Sequence, residues 1–181
     1  LCALGRGELD RAEAALTRAT QTEPECAEHL WNLGAVAHRR GCRGSVYIAM
    51  SAFIDKADDS DARRAHARAF IREFERQSRL LHPDSAPLAV ASADRDLSGG
   101  RKAVVKGDLI SAERLFLRAA MRVPSHYAAW TDLAQLRSRL GKLSEANECA
   151  QRALVANPTY EPASQVVAFV SSALRETGLR V

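Results

Sequence analysis

The sequence predicts an all-α fold in which pairs of helices stack on one another, and three observations support this prediction. Glycines recur at Gly7, Gly41, Gly107 and Gly141, with separations of 34, 66 and 34 residues. Alanines and larger apolar residues follow these glycines at fixed distances, and the alternating pattern of β-strands is absent. A period near 34 residues is typical of helix-pair repeats, in which each pair completes its core against the next.

A stripe of small and large apolar residues predicts the second helix of each pair. Ala112, Phe116 and Ala119 lie at i, i+4 and i+7, which is one face of an α-helix. The same stripe recurs as Ala12, Leu16 and Ala19 and as Ala146, Ala150 and Ala153. We therefore predict helices at 8–22, 108–121 and 143–155, each followed by a proline that ends it: Pro24, Pro124 and Pro158.

The first helix of a pair ends at Gly41 or Gly141, since glycine adopts φ > 0 at a helix end without steric cost. Gly34 and Ala134 are small enough to let the paired helix approach. These features predict helices at 26–40 and 126–139. The remaining helices outside the middle of the chain are predicted at 44–57 and 160–175.

The middle of the chain departs from the repeat. Its turn glycine would fall near Glu75, inside a predicted unbroken helix over 61–81. The acidic run 58–61 starts that helix with a capping side chain. Its buried face is predicted to carry Phe70, Phe74 and Leu81.

A helix over 86–106 follows the break at 82–87, and Gly99 and Gly100 form a weak point in it, at about 1 kcal/mol per glycine. The pattern divides the chain into an array at 1–58 whose first helix is truncated, a divergent unit at 59–106, and an array with a terminal helix at 107–181. The alternative is two rigid lobes with a hinge near 82–87.

Two segments before the turn glycines carry a family resemblance. One reads Ala27-Glu-His-Leu30-Trp-Asn-Leu33-Gly34, and the other reads Tyr127-Ala-Ala-Trp130-Thr-Asp-Leu133-Ala134. With the glycine turn, the alanine stripe and the closing proline, they resemble the tetratricopeptide repeat. The resemblance covers 7–58 and 107–158. It implies a right-handed superhelical solenoid, a scaffold for protein binding whose first helices line a concave face that takes a partner peptide or helix.

The concave face implied by the resemblance would be lined by the helices at 26–40, 126–139 and 160–175, with 86–106 as a weaker candidate. Its candidate residues are Glu28, Trp31, Asn32, Ala35, His38, Arg39, Thr131, Gln135, Ser138, Arg139, Gln165 and Phe169. Trp31 has two interpretations: an exposed anchor for a partner, or a packing residue like Trp130. Asn32 matches one asparagine of the clamp with which some family members bind acidic chaperone tails. Ala128 and Asp132 at the matching basic positions argue against that specialisation.

A second surface is a basic ridge on the helix at 61–81, made of Arg64, Arg68, Arg72, Arg76 and Arg79. These arginines predict either docking of nucleic acid or another anionic partner, or a solvated face paired with Glu73 and Glu75. No aromatic residue interleaves them as a stacking platform would, so the solvated face is favoured and a nucleic-acid partner is not.

The sequence offers no catalytic constellation, so we predict a binding protein, not an enzyme; recruiting substrate for a larger enzyme is a further alternative. His82-Pro83-Asp84 matches the J-domain tripeptide, but its surroundings differ, and we interpret it as a turn. Cys2, Cys26, Cys42 and Cys149 form no CxxC pair, and we predict no metal and no cofactor.

Other expectations concern the setting of the chain. The net charge is +4, and no run of 18 apolar residues predicts a membrane span. The scattered cysteines favour a reducing, cytoplasmic compartment. Because the chain opens inside a repeat, we expect its N-terminus to lack the start of an earlier helix. Exposed repeat ends make self-association a further expectation.

Overall fold

A computed structural model describes residues 6–176, apart from the side chains of Arg6, Gly7, Leu174 and Glu176. We expect the end of an earlier helix at Leu1–Arg6, and of these residues Leu1–Gly5 lie outside the described range. Within that range the chain forms nine α-helices and no strand. They are α1 (Arg6–Thr22), α2 (Ala27–Arg39), α3 (Arg43–Lys56), α4 (Arg63–Leu81), α5 (Pro87–Val105), α6 (Leu109–Arg122), α7 (Tyr127–Arg139), α8 (Leu143–Ala156) and α9 (Glu161–Glu176). The predicted all-α architecture is confirmed.

The turn glycines act as the sequence predicts. Gly41, Gly107 and Gly141 have φ of 69°, 78° and 75°. After the first of them, the amide of Cys42 donates to the carbonyl of Ala37 over 3.0 Å. The residues after Gly107 and Gly141 repeat this bond over 2.9 Å. This hydrogen bond closes the end of a helix around a residue in the left-handed region, which glycine adopts without strain.

The alanine stripe is the packing face of α6 and α8. Ala112 and Ala119 are fully buried and Phe116 is nearly so, and the three stripe alanines of α8 are fully buried. The corresponding stripe of α1 is only half-buried. Trp130 takes a packing role in α7, where its indole Nε1 donates to the carbonyl of Pro124 over 2.9 Å.

Two expectations for α4 are wrong in detail. The helix begins at Arg63 and not at Asp61, and Asp61 Oδ1 accepts the amide hydrogen of Arg63 over 2.9 Å. Leu81 does not lie on the buried face, because 59% of its surface is exposed. Phe74 is buried on that face as predicted, together with Ala67 and Ser78. The predicted break after α4 is confirmed, and His82-Pro83-Asp84 lies in it as a turn.

The glycine pair of α5 does not interrupt the helix, which runs from Pro87 to Val105. A Cβ on Gly100 would overlap the ring of Phe116. The predicted weak point is therefore a place where the α5 backbone accepts a large ring at close range, and the cost in helix propensity is offset by packing.

The contacts of the chain group into two compact units, Leu1–Arg95 and Asp96–Val181, here called unit 1 and unit 2. The boundary between them falls inside α5. The predicted division at 58 and 106, and the predicted hinge at 82–87, stay predictions. None of the described helices combines the length and the low polarity needed to cross a membrane.

Candidate functional site: grooves along the first helices

Unit 1 contains an apolar groove of about 400 Å³ between α2 and α4, here called the α2–α4 groove. The two walls use the same helical spacing of i, i+3, i+4 and i+7. On α2 the wall is Trp31, Gly34, Ala35 and His38, and on α4 it is His66, Ala69, Phe70 and Glu73. Val46 and Met50 of α3 form the floor. The matched faces of α2 and α4 therefore enclose one continuous groove.

Trp31 combines the two roles that the sequence left open. Its ring packs on Phe53 with centroids 5.2 Å apart and meets the edge of His66 at 6.0 Å. The guanidinium carbon of Arg63 lies over the same ring at 5.5 Å. The ring is nevertheless half-exposed and lines the groove. It is a rigid aromatic surface, held from one side and open on the other.

The floor of the groove depends on a close approach between α2 and α3. A Cβ on Gly34 would overlap the terminal methyl group of Met50. Met50 and Val46 are 5% and 4% exposed, and both belong to the core cluster around Phe53. A substitution at Gly34 would therefore displace the floor as well as fill space.

Glu73 fixes a negative charge at the edge of the groove. Its carboxylate accepts hydrogen bonds from Arg76 over 2.8 and 2.9 Å and from Gln77 over 2.6 Å. The hydrogen bonds from Arg76, followed by that from Gln77, lower the pKa of Glu73 to about 2. The side chain is consequently ionised at any physiological pH.

Unit 2 contains a groove of about 360 Å³ between α7 and α9, here called the α7–α9 groove. Its lining residues are Gln135, Ser138, Arg139, Pro162, Gln165, Val166 and Phe169. Phe169 is 61% exposed, and Gln165 donates to Glu161 over 3.0 Å. The lining of this groove is thus about equally polar and apolar, and it includes one exposed aromatic ring.

Arg139 and Gln135 also line a smaller cavity of about 220 Å³ between α5 and α7. There Arg101 Nε donates to the carboxylate of Asp132 over 2.6 Å, and Phe116 and Leu136 supply apolar surface. Two neighbouring cavities of unit 2 therefore share the same arginine and amide side chains.

The structure gathers eight of the predicted residues into these two grooves. Trp31, Ala35 and His38 lie in the first, and Gln135, Ser138, Arg139, Gln165 and Phe169 lie in the second. Three others lie beside the α2–α4 groove on α2: Arg39 is exposed, and Glu28 accepts hydrogen bonds from Arg63 and Asn32 over 2.5 and 3.3 Å.

Thr131 is a correction. It is only 1% exposed, and its hydroxyl donates to the carbonyl of Tyr127 over 2.9 Å. It belongs to the packing of α7 and cannot contact a partner.

Sequence reasoning missed Pro162 and Val166 in the α7–α9 groove, and in the α2–α4 groove it missed Gly34, the floor and the whole α4 wall. A sequence signal existed, since His66, Ala69, Phe70 and Glu73 repeat the spacing of the α2 wall at an offset of 35 residues. That offset is close to one repeat period. The wall was not predicted because the sequence analysis considered only the arginines of this helix as a binding surface, and they lie on another face.

The predicted basic ridge is shorter than expected. Arg64 does not belong to it, because its guanidinium donates to the carbonyls of Ile54 and Ala57 and pairs with Asp59, and only 12% of its side chain is exposed. Arg76 and Arg79 pair with Glu73 and Glu75. The two remaining ridge residues, Arg68 and Arg72, are exposed.

One group of side chains has the composition of a metal site, although the sequence analysis predicts no metal. Among the residues that the structure describes, Glu23, Cys26 and His29 place their ligand atoms within 4.8 Å of one another. Cys149, by contrast, is buried, and burial raises the pKa of its thiol despite the nearby Arg137. A buried, protonated thiol is unreactive.

Comparison with known proteins decides the family. A profile described as the tetratricopeptide repeat matches residues 3–41 and 97–161, which is more than half of the chain. The chain belongs to the tetratricopeptide repeat family. The match leaves out 42–96, which includes α4, and a search of curated proteins finds no match.

Two solved structures are similar to this tetratricopeptide protein. MamA aligns with a TM-score of 0.51 and 16% identity over 97% of this chain and 82% of that one. A complex of the TPR2AB domain of yeast Sti1 with pHSP90 aligns with a TM-score of 0.46 and 17% identity over 94% of this chain and 67% of that one. At such identities the likeness to MamA shows the fold alone. Proteins of this family are typically non-catalytic interaction modules, which supports a protein-interaction scaffold.

Proposed function

We propose that this chain binds a peptide or a helix of a partner protein along its first helices, using the α2–α4 groove and the α7–α9 groove. The observation that supports this most is the matched i, i+3, i+4, i+7 spacing of the two walls of the α2–α4 groove. A row of residues with that spacing runs along the helix, so it presents a continuous track to an elongated ligand.

The α2–α4 groove favours apolar side chains of a partner. Trp31 and Phe70 offer aromatic surface, Ala35 and Ala69 leave room, and Met50 provides an adaptable floor. Removing apolar surface from water stabilises a complex by about 25 cal/mol per Å² before the costs of association. An aromatic ring that is already held in place loses little conformational entropy on binding, which makes Trp31 the expected anchor.

The α7–α9 groove favours a ligand segment of different chemistry. Gln135 and Gln165 supply amide donors and acceptors, and Arg139 supplies a forked cation. Such groups suit the backbone of an extended peptide or one of its carboxylates. Phe169 adds an exposed ring for one apolar side chain.

The alternative of an anionic partner on the basic ridge has less support. Arg64 is engaged with the end of α3, and Arg76 and Arg79 are paired locally, as the interpretation of a solvated face requires. Recruitment of a substrate for an enzyme would use the same grooves and therefore gives the same expectation for their residues.

Photo-crosslinking tests the proposal with matched positions. A photoreactive phenylalanine analogue would replace Ala69, which lines the α2–α4 groove, or Ala65, an exposed alanine of the same helix outside it. In unit 2 it would replace Phe169 or the exposed Val155 of α8. After irradiation in lysate, mass spectrometry identifies the captured proteins.

We expect a protein that is captured from Ala69 or Phe169 and not from the two control positions. Equal capture from all four positions would contradict the proposal. A parallel pull-down with Arg68→Glu/Arg72→Glu tests the ridge. Loss of the captured material in that variant only, with nucleic acid in the eluate and steep salt dependence, would favour the anionic partner.

A further inference from the structure

The turn between α1 and α2 places three different metal ligands together. The Sγ of Cys26, a ring nitrogen of His29 and a carboxylate oxygen of Glu23 all lie within 4.8 Å of one another. Cys26 is the residue immediately before α2, and His29 lies in the first turn of that helix. Two residues three positions apart at a helix start face the same side, and the preceding turn brings Glu23 to meet them.

The distances fit a small divalent ion. Zn²⁺ binds thiolate, imidazole and carboxylate ligands at about 2.0–2.3 Å in tetrahedral geometry, so ligand atoms in a filled site lie about 3.3–3.8 Å apart. Glu23 Oε2 and His29 Nε2 are already 3.2 Å apart. The sulfur of Cys26 therefore has at most about 1–1.5 Å to close on each of the other two ligand atoms, a distance that small rotations of the three side chains can share.

The backbone of this turn is held in place without a metal. The amide of Glu23 donates to the carbonyl of Ala19 over 2.8 Å, and the amide of Cys26 donates to the carbonyl of Glu23 over 3.1 Å. Lys56 binds the carboxylate of Glu25 over 2.6 and 2.7 Å. That ion pair engages Glu25, the other carboxylate of the turn, and leaves Glu23 to face His29.

We propose that Glu23, Cys26 and His29 form a site for one Zn²⁺ ion, with water in the fourth position. Binding replaces the thiol proton of Cys26, which leaves to solvent, and the thiolate and carboxylate together balance the two charges of the ion. Cys26 and His29 are half-buried, while Glu23 is exposed and leaves a path for entry. The ion would fasten the end of α1, whose packing stripe is only half-buried, to the start of α2.

The chain supplies its own control for a cysteine at a helix start. Cys42 stands immediately before α3, as Cys26 stands before α2, and it too is half-buried. It does not belong to a group of three ligand atoms among the described residues. A metal that binds any accessible thiol would treat the two cysteines alike, and a metal that needs the three-ligand group would not.

Titration with Co²⁺, a spectroscopic substitute for Zn²⁺, tests the sulfur ligand. We expect a thiolate-to-cobalt charge-transfer absorption that saturates at one ion per chain. Cys26→Ser should lose this absorption, and Cys42→Ser should retain it in full. Absence of the absorption in the unmodified protein, or its persistence in Cys26→Ser, would overturn the site.

Competition against a chromophoric zinc chelator tests the other two ligands. His29→Ala and Glu23→Gln should each weaken Zn²⁺ binding by more than the roughly tenfold that loss of an outer-shell partner costs. His38→Ala, which alters the other histidine of α2, an exposed one, should not change Zn²⁺ binding. Zn²⁺ should also raise the melting temperature of the unmodified protein and of Cys42→Ser, but not of Cys26→Ser. Equal affinities for His29→Ala and His38→Ala would overturn the proposal.

Discussion

Trp31 in unit 1 and Thr131 in unit 2 stand at the same place in the repeat, ten residues before Gly41 and Gly141, yet their surroundings differ. Trp31 is half-exposed and lines an apolar groove, whereas Thr131 is 1% exposed and lies inside a helix contact. The same position of the repeat thus lines an open groove in one unit and is buried in helix packing in the other.

The neighbouring helix explains the difference. In unit 2, α9 packs directly on α7, and the rings of Tyr127 and Tyr160 meet with centroids 4.6 Å apart. Thr131 shares a helical face with Gln135 and Ser138, which line the groove against α9, so a small residue at this position permits the approach. In unit 1 the helix in the corresponding place is α4. The large ring of Trp31 lies between α2 and α4, in contact with Phe53 and His66. The size of one side chain is therefore matched to the space left by the following helix.

The largest effect is expected at the alanine stripe, whose alanines are fully buried in unit 2 and only half-buried in unit 1. Ala119→Arg places a cation where no surface is exposed, and an uncompensated buried charge costs about 3–5 kcal/mol of unfolding free energy. Ala19→Arg, at the equivalent position of α1, should cost under about 1 kcal/mol because a half-buried arginine can extend its charge to water.

Urea denaturation measures both variants, because each unit carries one of the two tryptophans. In a Trp31→Phe background the fluorescence of Trp130 reports unit 2. Met121→Arg, on an exposed part of α6, is the control for charge alone. If Ala119→Arg unfolds at the same urea concentration as Met121→Arg, the stripe has been assigned to the wrong face.

Exchanging the residues at the compared position is expected to have the next largest effect. Thr131→Trp forces a large ring into a closed contact, and overpacking of this kind costs about 1–3 kcal/mol, sometimes more. Trp31→Thr leaves the helices in place but removes aromatic surface from a half-open groove, so it should cost less. Thermal unfolding of both variants measures the order. The reverse order would show that Trp31 is a core residue and not a groove residue.

Glycines at close approaches should give intermediate effects that differ between the units. A Cβ on Gly44 would overlap the backbone carbonyl of Ala91 in unit 1, whereas a Cβ on Gly100 would overlap the ring of Phe116 in unit 2. Alanine at Gly44 should cost about 1–3 kcal/mol, and more than alanine at Gly100, because a ring can shift and a backbone cannot.

Gly99 provides the control for these two variants. A Cβ there would lie 3.4 Å from Leu115, an ordinary contact, so Gly99→Ala should stabilise α5 by up to about 1 kcal/mol through helix propensity. Chemical denaturation of the three alanine variants gives the comparison. If all three changed stability alike, helix propensity alone would account for them and close packing would not.

The fold could be predicted because glycine and proline act locally. The turn at Gly41 requires a positive φ, and the sequence alone identifies the residue that tolerates it. The burial of Thr131 could not be predicted, because it depends on where α9 lies and not on the sequence of α7. The group of possible metal ligands could not be predicted for a similar reason. Glu23 comes close to Cys26 and His29 only because of the conformation of the turn before α2.

The smallest effect is expected for an acidic residue that has the same repeat position in both units. In each unit it forms a salt bridge with basic residues at or just after the C-terminal end of the following helix. Glu13 of α1 pairs with Arg40, and Glu113 of α6 pairs with Arg137 and Lys142 over 3.0 and 3.2 Å. Partial burial raises the pKa of Glu113, but the hydrogen bonds from Arg137 and Lys142 outweigh it, so the pKa lies below its ordinary value of 4.5. The ionised form is therefore favoured by folding.

Glu113→Gln should destabilise the protein at pH 7 by less than about 1 kcal/mol, since the pair is partly exposed. A carboxyl whose pKa falls on folding contributes stability above its ordinary pKa, and the contribution is lost as the pH falls through the lower, folded value. The difference in unfolding free energy between the unmodified protein and Glu113→Gln should therefore be full at pH 7 and should decrease as the pH falls below 4.5 towards the lower, folded pKa of Glu113. Urea denaturation at pH 7 and pH 3 measures it. A difference that is independent of pH would mean that Glu113 contributes through packing and not through its charge.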